Sequence, residues 1–145
     1  MIRPYQPADK NALVTILRLN TPGFFAPEEE QDFITYLKHQ ADQYFVVEEA
    51  GIIAGSGGFN LQNKGKRAHI SWDLFHPDFQ GKGLGKALTE FRINEIKKLP
   101  GVEQIVVRTS QVAYRFYQKQ GFELKEIVKD YWATGFDLYS MEFGE

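Results

Sequence analysis

The stretch Ala68-His69-Ile70-Ser71-Trp72-Asp73-Leu74-Phe75-His76-Pro77-Asp78-Phe79-Gln80-Gly81-Lys82-Gly83-Leu84-Gly85-Lys86 decides the fold. Its first part, Ala68 to Phe75, reads as a strand, and Leu84 to Leu99 behind it reads as a helix with Leu84, Ala87, Leu88 and Phe91 at i, i+3, i+4 and i+7. Between them, three glycines alternate with lysine and leucine. A glycine-rich passage from strand to helix points backbone N–H groups outward at the positive end of a helix, which suits a phosphate-bearing ligand. The G-x-G-x-G spacing of Gly81, Gly83 and Gly85 is not the G-x-G-x-x-G of dinucleotide folds, and no G-x-x-x-x-G-K-[ST] loop occurs.

Upstream, Met1 to Tyr5 reads as a first strand and Ala8 to Asn20 as a helix with Leu13, Ile16 and Leu17 on one face. Thr21 to Pro27 breaks that helix, and Glu28 to Ala41 forms the next, with acids in its first turn that suit the helix dipole. Tyr44 to Glu49 and Ile52 to Leu61 are strands joined at Ala50-Gly51; Gly55, Gly57 and Gly58 mark a bulge or a close backbone approach in the second. Asn63 to Lys66 is a further hairpin turn. Downstream, Gln104 to Thr109 reads as a short buried strand, and Val112 to Gln120 as a helix closed by Gly121 with Ala113, Phe116 and Tyr117 inward. Phe122 to Tyr131 and Phe136 to Phe143 close the chain as a strand pair. The order β-α-α-β-β-β-α-β-α-β-β predicts one α/β domain over residues 1–145 with a mixed sheet, not a regular doubly wound fold.

Composition excludes several function classes. The 145 residues carry a net charge of −2, so no general basic field attracts nucleic acid, although Lys82 and Lys86 form a local basic patch. Cysteine is absent, which removes disulfides, thiol nucleophiles and thiolate metal sites. No apolar run approaches membrane-spanning length and no signal-peptide pattern opens the chain, so a cytoplasmic protein without a membrane partner is expected.

Two motifs in order, Gln80 to Gly85 and, about thirty residues on, Phe116-Tyr117-Gln118-Lys119-Gln120-Gly121-Phe122, resemble those of the GNAT N-acetyltransferases, Q/R-x-x-G-x-G/A and F-Y-x-x-x-G-F. The resemblance covers nearly the whole chain. It implies a mixed, mostly antiparallel sheet of six to seven strands flanked by four helices, with acetyl-coenzyme A (acetyl-CoA) as co-substrate. The pyrophosphate is expected on the backbone of Gln80, Gly81, Lys82, Gly83, Leu84, Gly85 and Lys86, and the pantetheine arm on the main chain of Leu74 and Phe75. Ser110 stands where relatives often carry Asn, and is expected to cap the last helix and meet the cofactor arm. Homodimerisation is a habit of that family that the sequence does not itself establish, and no metal site is expected.

Amine acetylation needs a polarised carbonyl, a neutral amine and a stabilised thiolate. A strand N–H near Phe75 serves the first need. For the second, a lysine-like amine is only about one part in a thousand neutral near pH 7.4, so a general base helps. His69 stands where many relatives have Glu, and Asp73 lies four residues on, on the same strand face under period-two alternation; these are the two candidates. For the third need, Tyr117 matches the family tyrosine that protonates the leaving thiolate. Helical spacing alone makes it a core aromatic, and a packed ring with a phenol tip at the site satisfies both readings.

The resemblance implies an acceptor pocket built from Asn20 to Ala26 and Tyr131 to Gly135, with Phe24, Phe25, Tyr131 and Trp132 as an aromatic wall and Glu28, Glu29 and Glu30 attracting a cationic amine. The acceptor, a small molecule or a peptide, is not named by the sequence. The reading is an enzyme acetylating a primary amine by direct attack in a ternary complex; the alternative is a noncatalytic acyl-CoA sensor or interaction module.

Overall fold

The computed structural model describes residues 1–144. In chain order the elements are β1 (Ile2–Pro4), α1 (Lys10–Leu19), α2 (Glu29–His39), β2 (Tyr44–Glu49), β3 (Ile52–Gln62), β4 (Arg67–Phe75), α3 (Leu84–Lys97), β5 (Gln104–Thr109), α4 (Tyr114–Lys119), β6 (Phe122–Ala133) and β7 (Phe136–Phe143). Short 3-10 turns stand at Pro7–Asp9 and Pro77–Phe79. The seven strands form one sheet in the order β1-β2-β3-β4-β5-β7-β6, antiparallel except for the β4–β5 pair.

The expected elements are all present, with four shifts. Helix α1 starts at Lys10 because Pro7–Asp9 winds as a 3-10 turn, in which the Asp9 carboxylate accepts the Gln6 N–H and a two-point bond from Arg3. Helix α4 is shorter than its periodicity, because the Ser110 carbonyl draws the Ala113 and Tyr114 amides into turns before the helix begins. Strand β5 is covered on one face only, with Ile105 and Val107 buried between more exposed neighbours. The apolar stripe of α3 is rotated from the expected one: Ala87 is exposed, and Leu88, Thr89, Arg92, Ile93 and Ile96 are buried.

Two apolar clusters hold the sheet from its two faces. Leu13, Ile16 and Leu17 of α1 and Phe33 and Leu37 of α2 pack with Tyr44, Val46 and Leu74 on one face. Leu88, Ile93 and Ile96 of α3 and Tyr117 of α4 pack with Phe45, Phe59, Ala68, Ile70, Ile105 and Val107 on the other. Burying a side chain of this size contributes about 1.5–3 kcal/mol.

Strand β4 changes faces partway along. Ser71 pairs with Gly58 and Leu74 with Ser56, so Trp72 and Asp73 together oppose Gly57. Trp72 takes a φ of 50° in this bulge, and its carbonyl accepts the buried Tyr44 hydroxyl at 2.6 Å. Gly57 is required here: a Cβ would stand 2.3 Å from the Asp73 Oδ1. Before the bulge, Ala68 and Ile70 face α3; after it, Asp73 does, while Trp72 and Leu74 pack toward α1 and α2.

Candidate functional site

Strands β4 and β5 pair only from Arg67↔Gln104 to Ile70↔Val107. Beyond that point β5 stays with β7 through Thr109↔Tyr139, while the bulge carries β4 away. The parting strands open a cavity of about 770 Å³ that runs from the α2 side to the N-terminus of α3. Main chain on both walls and a helix end at one mouth are what a long, thin, anionic ligand needs.

The helix end is built by the glycines. Gly81 and Gly83 take φ values of 78° and 79°, and a Cβ on either would meet nothing within 4 Å, so the backbone there is bare and approachable. The first intrahelical bond joins the Ala87 N–H to the Gly83 carbonyl at 3.1 Å. The amides of Leu84, Gly85 and Lys86 precede it and have no acceptor within the helix. Gly85 lies against the Phe116 ring, where a Cβ would stand 3.1 Å from its edge. Lys86 pairs with Glu90 at 3.8 Å, and the Lys82 ammonium sits over the Phe79 ring at 5.1 Å. These residues fit a pyrophosphate through main-chain donors, with the lysines at the rim. Gln80 turns back toward β4, donating to the Phe75 carbonyl at 3.2 Å and to Asn20 Oδ1 at 3.3 Å. Asn20, buried, also donates to the Phe75 carbonyl at 2.9 Å, so two amides fix the end of β4. Leu74 is buried below this point, and both Leu74 and Phe75 line the cavity wall.

At mid-cleft, three ionisable groups meet. Arg92 is fully buried and grips Asp73 at two points; its Nη2 donates to Oδ2 at 2.8 Å and its Nη1 bonds Oδ1. Nη1 also donates to the Gly58 carbonyl at 3.1 Å. The Tyr117 hydroxyl donates to Asp73 Oδ2 at 2.5 Å. Burial first, and the Asp73 charge second, push the Tyr117 phenol well above its ordinary range, with Arg92 opposing. Tyr117 therefore stays protonated and serves as a donor, while both Asp73 oxygens are already engaged. His69 lies elsewhere: the bulge puts it and Asp73 on opposite faces of β4, overturning the expected shared face. His69 is half-buried in the cavity wall, its Nε2 has no hydrogen-bond partner, and burial, then Arg67 and Arg108, lower its pKa.

The α2 end of the cavity holds a polar network. Asn60 Oδ1 accepts the Tyr36 and Ser71 hydroxyls at 2.8 and 2.7 Å, and its amide donates to the Gln40 carbonyl at 2.8 Å. Phe24 and Phe25 line this end, Phe25 stacked on Trp72 with centroids 6.2 Å apart. Of the three acids, Glu29 lines the cavity and is pushed up by burial, whereas Glu30 pairs with Arg18 at 2.7 Å and Glu28 is exposed. Trp132 lines the cavity and donates to the Thr109 carbonyl at 3.0 Å. Tyr131 lies outside the lining, 47% exposed, against Trp132 and Arg108. Ser110 is buried in the lining, its hydroxyl 3.4 Å from the Val112 N–H ahead of α4.

Sequence reasoning missed Arg92 and Asn60, and it placed Asn20 in the acceptor pocket without its role in fixing the end of β4. Arg92 had a legible signal, a charge four residues after Leu88 on an apolar stripe that needed an acid elsewhere to be tolerated. The two asparagines had none, since their partners are backbone carbonyls and hydroxyls distant in sequence. Among the described residues no cluster of acids and histidines forms a metal site, and no helix is long and apolar enough to cross a membrane.

Similar folds and sequences are known. The profile of the Acetyltransferase (GNAT) family matches residues 11–122. An amino-acid acetyltransferase of Pasteurella multocida is 27% identical over 121 residues, covering 83% of this chain but 26% of that relative. The chain thus spans about a quarter of that protein's length. An N-alpha-acetyltransferase of Sulfurisphaera tokodaii is 25% identical, with 97% of this chain and 90% of that one covered. The Salmonella typhimurium protein yncA, solved with its cofactor acetyl-CoA, superposes with a TM-score of 0.78 at 20% identity, over 99% of this chain and 92% of that one. With the parted strands and the glycine-built helix end, the family match over most of its length shows that this chain belongs to the GNAT acetyltransferase family.

Proposed function

We propose that this acetyltransferase moves the acetyl group of acetyl-CoA to a primary amine by direct attack, both substrates being held in the cleft between β4 and β5. The observation that carries the reading is the Tyr117 hydroxyl, buried in the cleft wall and held on Asp73 by a 2.5 Å bond. Acetyl-CoA supplies an activated acyl group and a thiolate leaving group. The amides of Leu84 to Lys86 hold its pyrophosphate, and the main chain of Leu74 and Phe75 orients its arm. Tyr117 delivers its proton to the departing sulfur. The phenolate left behind beside Asp73 is costly, and the Arg92 charge offsets part of that cost. Asp73 is a positioning residue in this scheme, since neither of its oxygens is open to an amine. His69, neutral and in the wall of the cavity, is the base, acting on the amine directly or through water. Phe24, Phe25 and Trp132 enclose the acceptor, with Tyr131 at the rim.

Tyr117→Phe tests the reading. The ring stays packed against Phe116 and Phe122, so the melting temperature rise on adding acetyl-CoA persists. The rate of CoA release falls by about 10²–10⁴-fold at saturating substrates, the range for loss of a positioned proton donor. Unchanged turnover removes the proton-delivery role. A protein that acetyl-CoA stabilises but that releases no CoA with any amine is a binding module instead.

A further inference from the structure

Beside the main cleft, on the face of the sheet not covered by α3, lies a second depression of about 370 Å³ whose lining includes Arg67, His69, Gln104, Arg108, Lys125 and Glu142. It shares Gln62, His69 and Arg108 with the main cavity, so the two adjoin across these side chains. Three cations face one acid there, in a chain whose net charge is −2. The acid is not the cations' partner: Glu142 accepts the Gln104 amide at 3.1 Å. Arg67 spends only its Nε, on Gln104 at 3.1 Å, and its terminal nitrogens have no partner among the described residues. Arg108 lies over the Tyr131 ring, 4.9 Å from its centroid, and donates one Nη to the Tyr131 hydroxyl, which holds the guanidinium without neutralising it. Lys125 is tied to Glu123 at 3.2 Å on the outer edge. The His69 ring shares this lining, feels the charge of both arginines, and has its Nε2 buried and unpaired.

We propose that this depression is an oxyanion subsite of the acceptor groove, in which Arg67, Arg108 and the His69 imidazole receive a carboxylate or phosphate borne by the acceptor. Guanidinium groups suit this role because they bind planar or tetrahedral oxyanions at two points and keep their charge at every working pH. The inference rests on the acceptor being held in the cleft with His69 as its base, as proposed above, and it narrows the acceptor class to amines that carry an acidic group. His69 then has two tasks that depend on one another. With the subsite empty, burial first and the two arginines second lower the His69 pKa; an anion between the arginines opposes that shift and returns the imidazole toward its ordinary 6.5, which makes it a stronger base that is still mostly neutral near pH 7.4.

The test reads His69 directly, without acetyl-CoA or turnover. The chain has three histidines, and the His69→Gln variant assigns the His69 ring signal in an NMR pH titration. Inorganic phosphate is expected to raise the His69 pKa by about one unit, as a close opposite charge does, with acetate as the carboxylate arm and sodium chloride at matched ionic strength as the control. Arg67→Gln and Arg108→Gln should each abolish most of that rise while the resting His69 pKa moves up, because a neighbouring cation has gone. An equal rise in sodium chloride, or a rise that survives both substitutions, overturns the subsite. A rise with acetate but not phosphate assigns it to carboxylates, and the reverse to phosphates. Failure here leaves the stabilisation by acetyl-CoA untouched, so it is distinguishable from failure of the proposed activity.

Discussion

Removing Asp73 while keeping Arg92 tests how the centre of the cleft is held together. Arg92 has no exposed side-chain surface, whereas the Asp73 side chain is 14% exposed toward the cleft. The guanidinium cannot shed its proton, and its other partners, the Gly58 and Leu88 carbonyls and Thr89, satisfy donors without balancing charge. Asp73→Leu therefore strands a buried cation and should cost about 3–5 kcal/mol. For a chain of this length, roughly 3 °C of melting temperature follows each kcal/mol, so a fall of about 10–15 °C is expected. The double variant Asp73→Leu/Arg92→Met replaces the pair by apolar groups. It takes these partners from the Tyr117 hydroxyl and the Gly58 carbonyl, at no more than about 1–3 kcal/mol each, but removes the stranded charge, and so should be more stable than Asp73→Leu. Urea unfolding of wild type, both single variants and the double variant gives the coupling. A single-variant loss below about 1 kcal/mol, or a double variant no more stable than Asp73→Leu, refutes the stranded-cation account.

Gly83→Ala forces an alanine into a left-handed conformation at the start of α3 and should cost about 1–2 kcal/mol in urea unfolding. The new methyl group stands over the anion cradle, so acetyl-CoA affinity by calorimetry should fall further than stability alone implies; unchanged affinity places the pyrophosphate elsewhere. Tyr44→Phe removes the hydroxyl that holds Ser56 and the Trp72 carbonyl, and should cost about 1–3 kcal/mol. It should also lower turnover by loosening the bulge, and a variant as stable and as active as the parent contradicts that link. Folding lowers the His69 pKa from its ordinary 6.5, so the unfolded chain takes up this proton first as pH drops. The His69 contribution is then complete above the unfolded value and is lost as pH falls through the folded one, which predicts a shallower acid limb for His69→Gln as pH falls below the ordinary 6.5. Identical limbs remove His69 from the acid response.

The fold was legible wherever one short-range rule governed a segment. Leu13, Ile16 and Leu17 repeat at helical spacing, Ala50-Gly51 turns a hairpin, and Gly121 ends α4, each set within a few residues. The glycine cradle was legible for the same reason, since the conformation of Gly81 and Gly83 is a local property. What the sequence hid depends on distant partners. Alternation placed Asp73 beside His69 because it has no knowledge of Tyr44, 28 residues away, whose hydroxyl anchors the bulge. The α3 stripe was misplaced because helical patterning assigns a charge to solvent, and Arg92 turns inward only when Asp73 is there to meet it.

The bulge in β4 makes that strand run in two phases. Straightening the bulge without shortening the strand would exchange the two faces beyond Ser71. The Asp73 charge would then enter the apolar cluster with Leu13 and Phe33, and the Leu74 side chain would face Arg92. Most substitutions here alter one side chain at a time, whereas loss of the bulge at constant length inverts a whole surface. In grafts or chimaeras of this segment, the bulge between Ser71 and Phe75 is thus the feature to preserve, ahead of the identity of any residue within it.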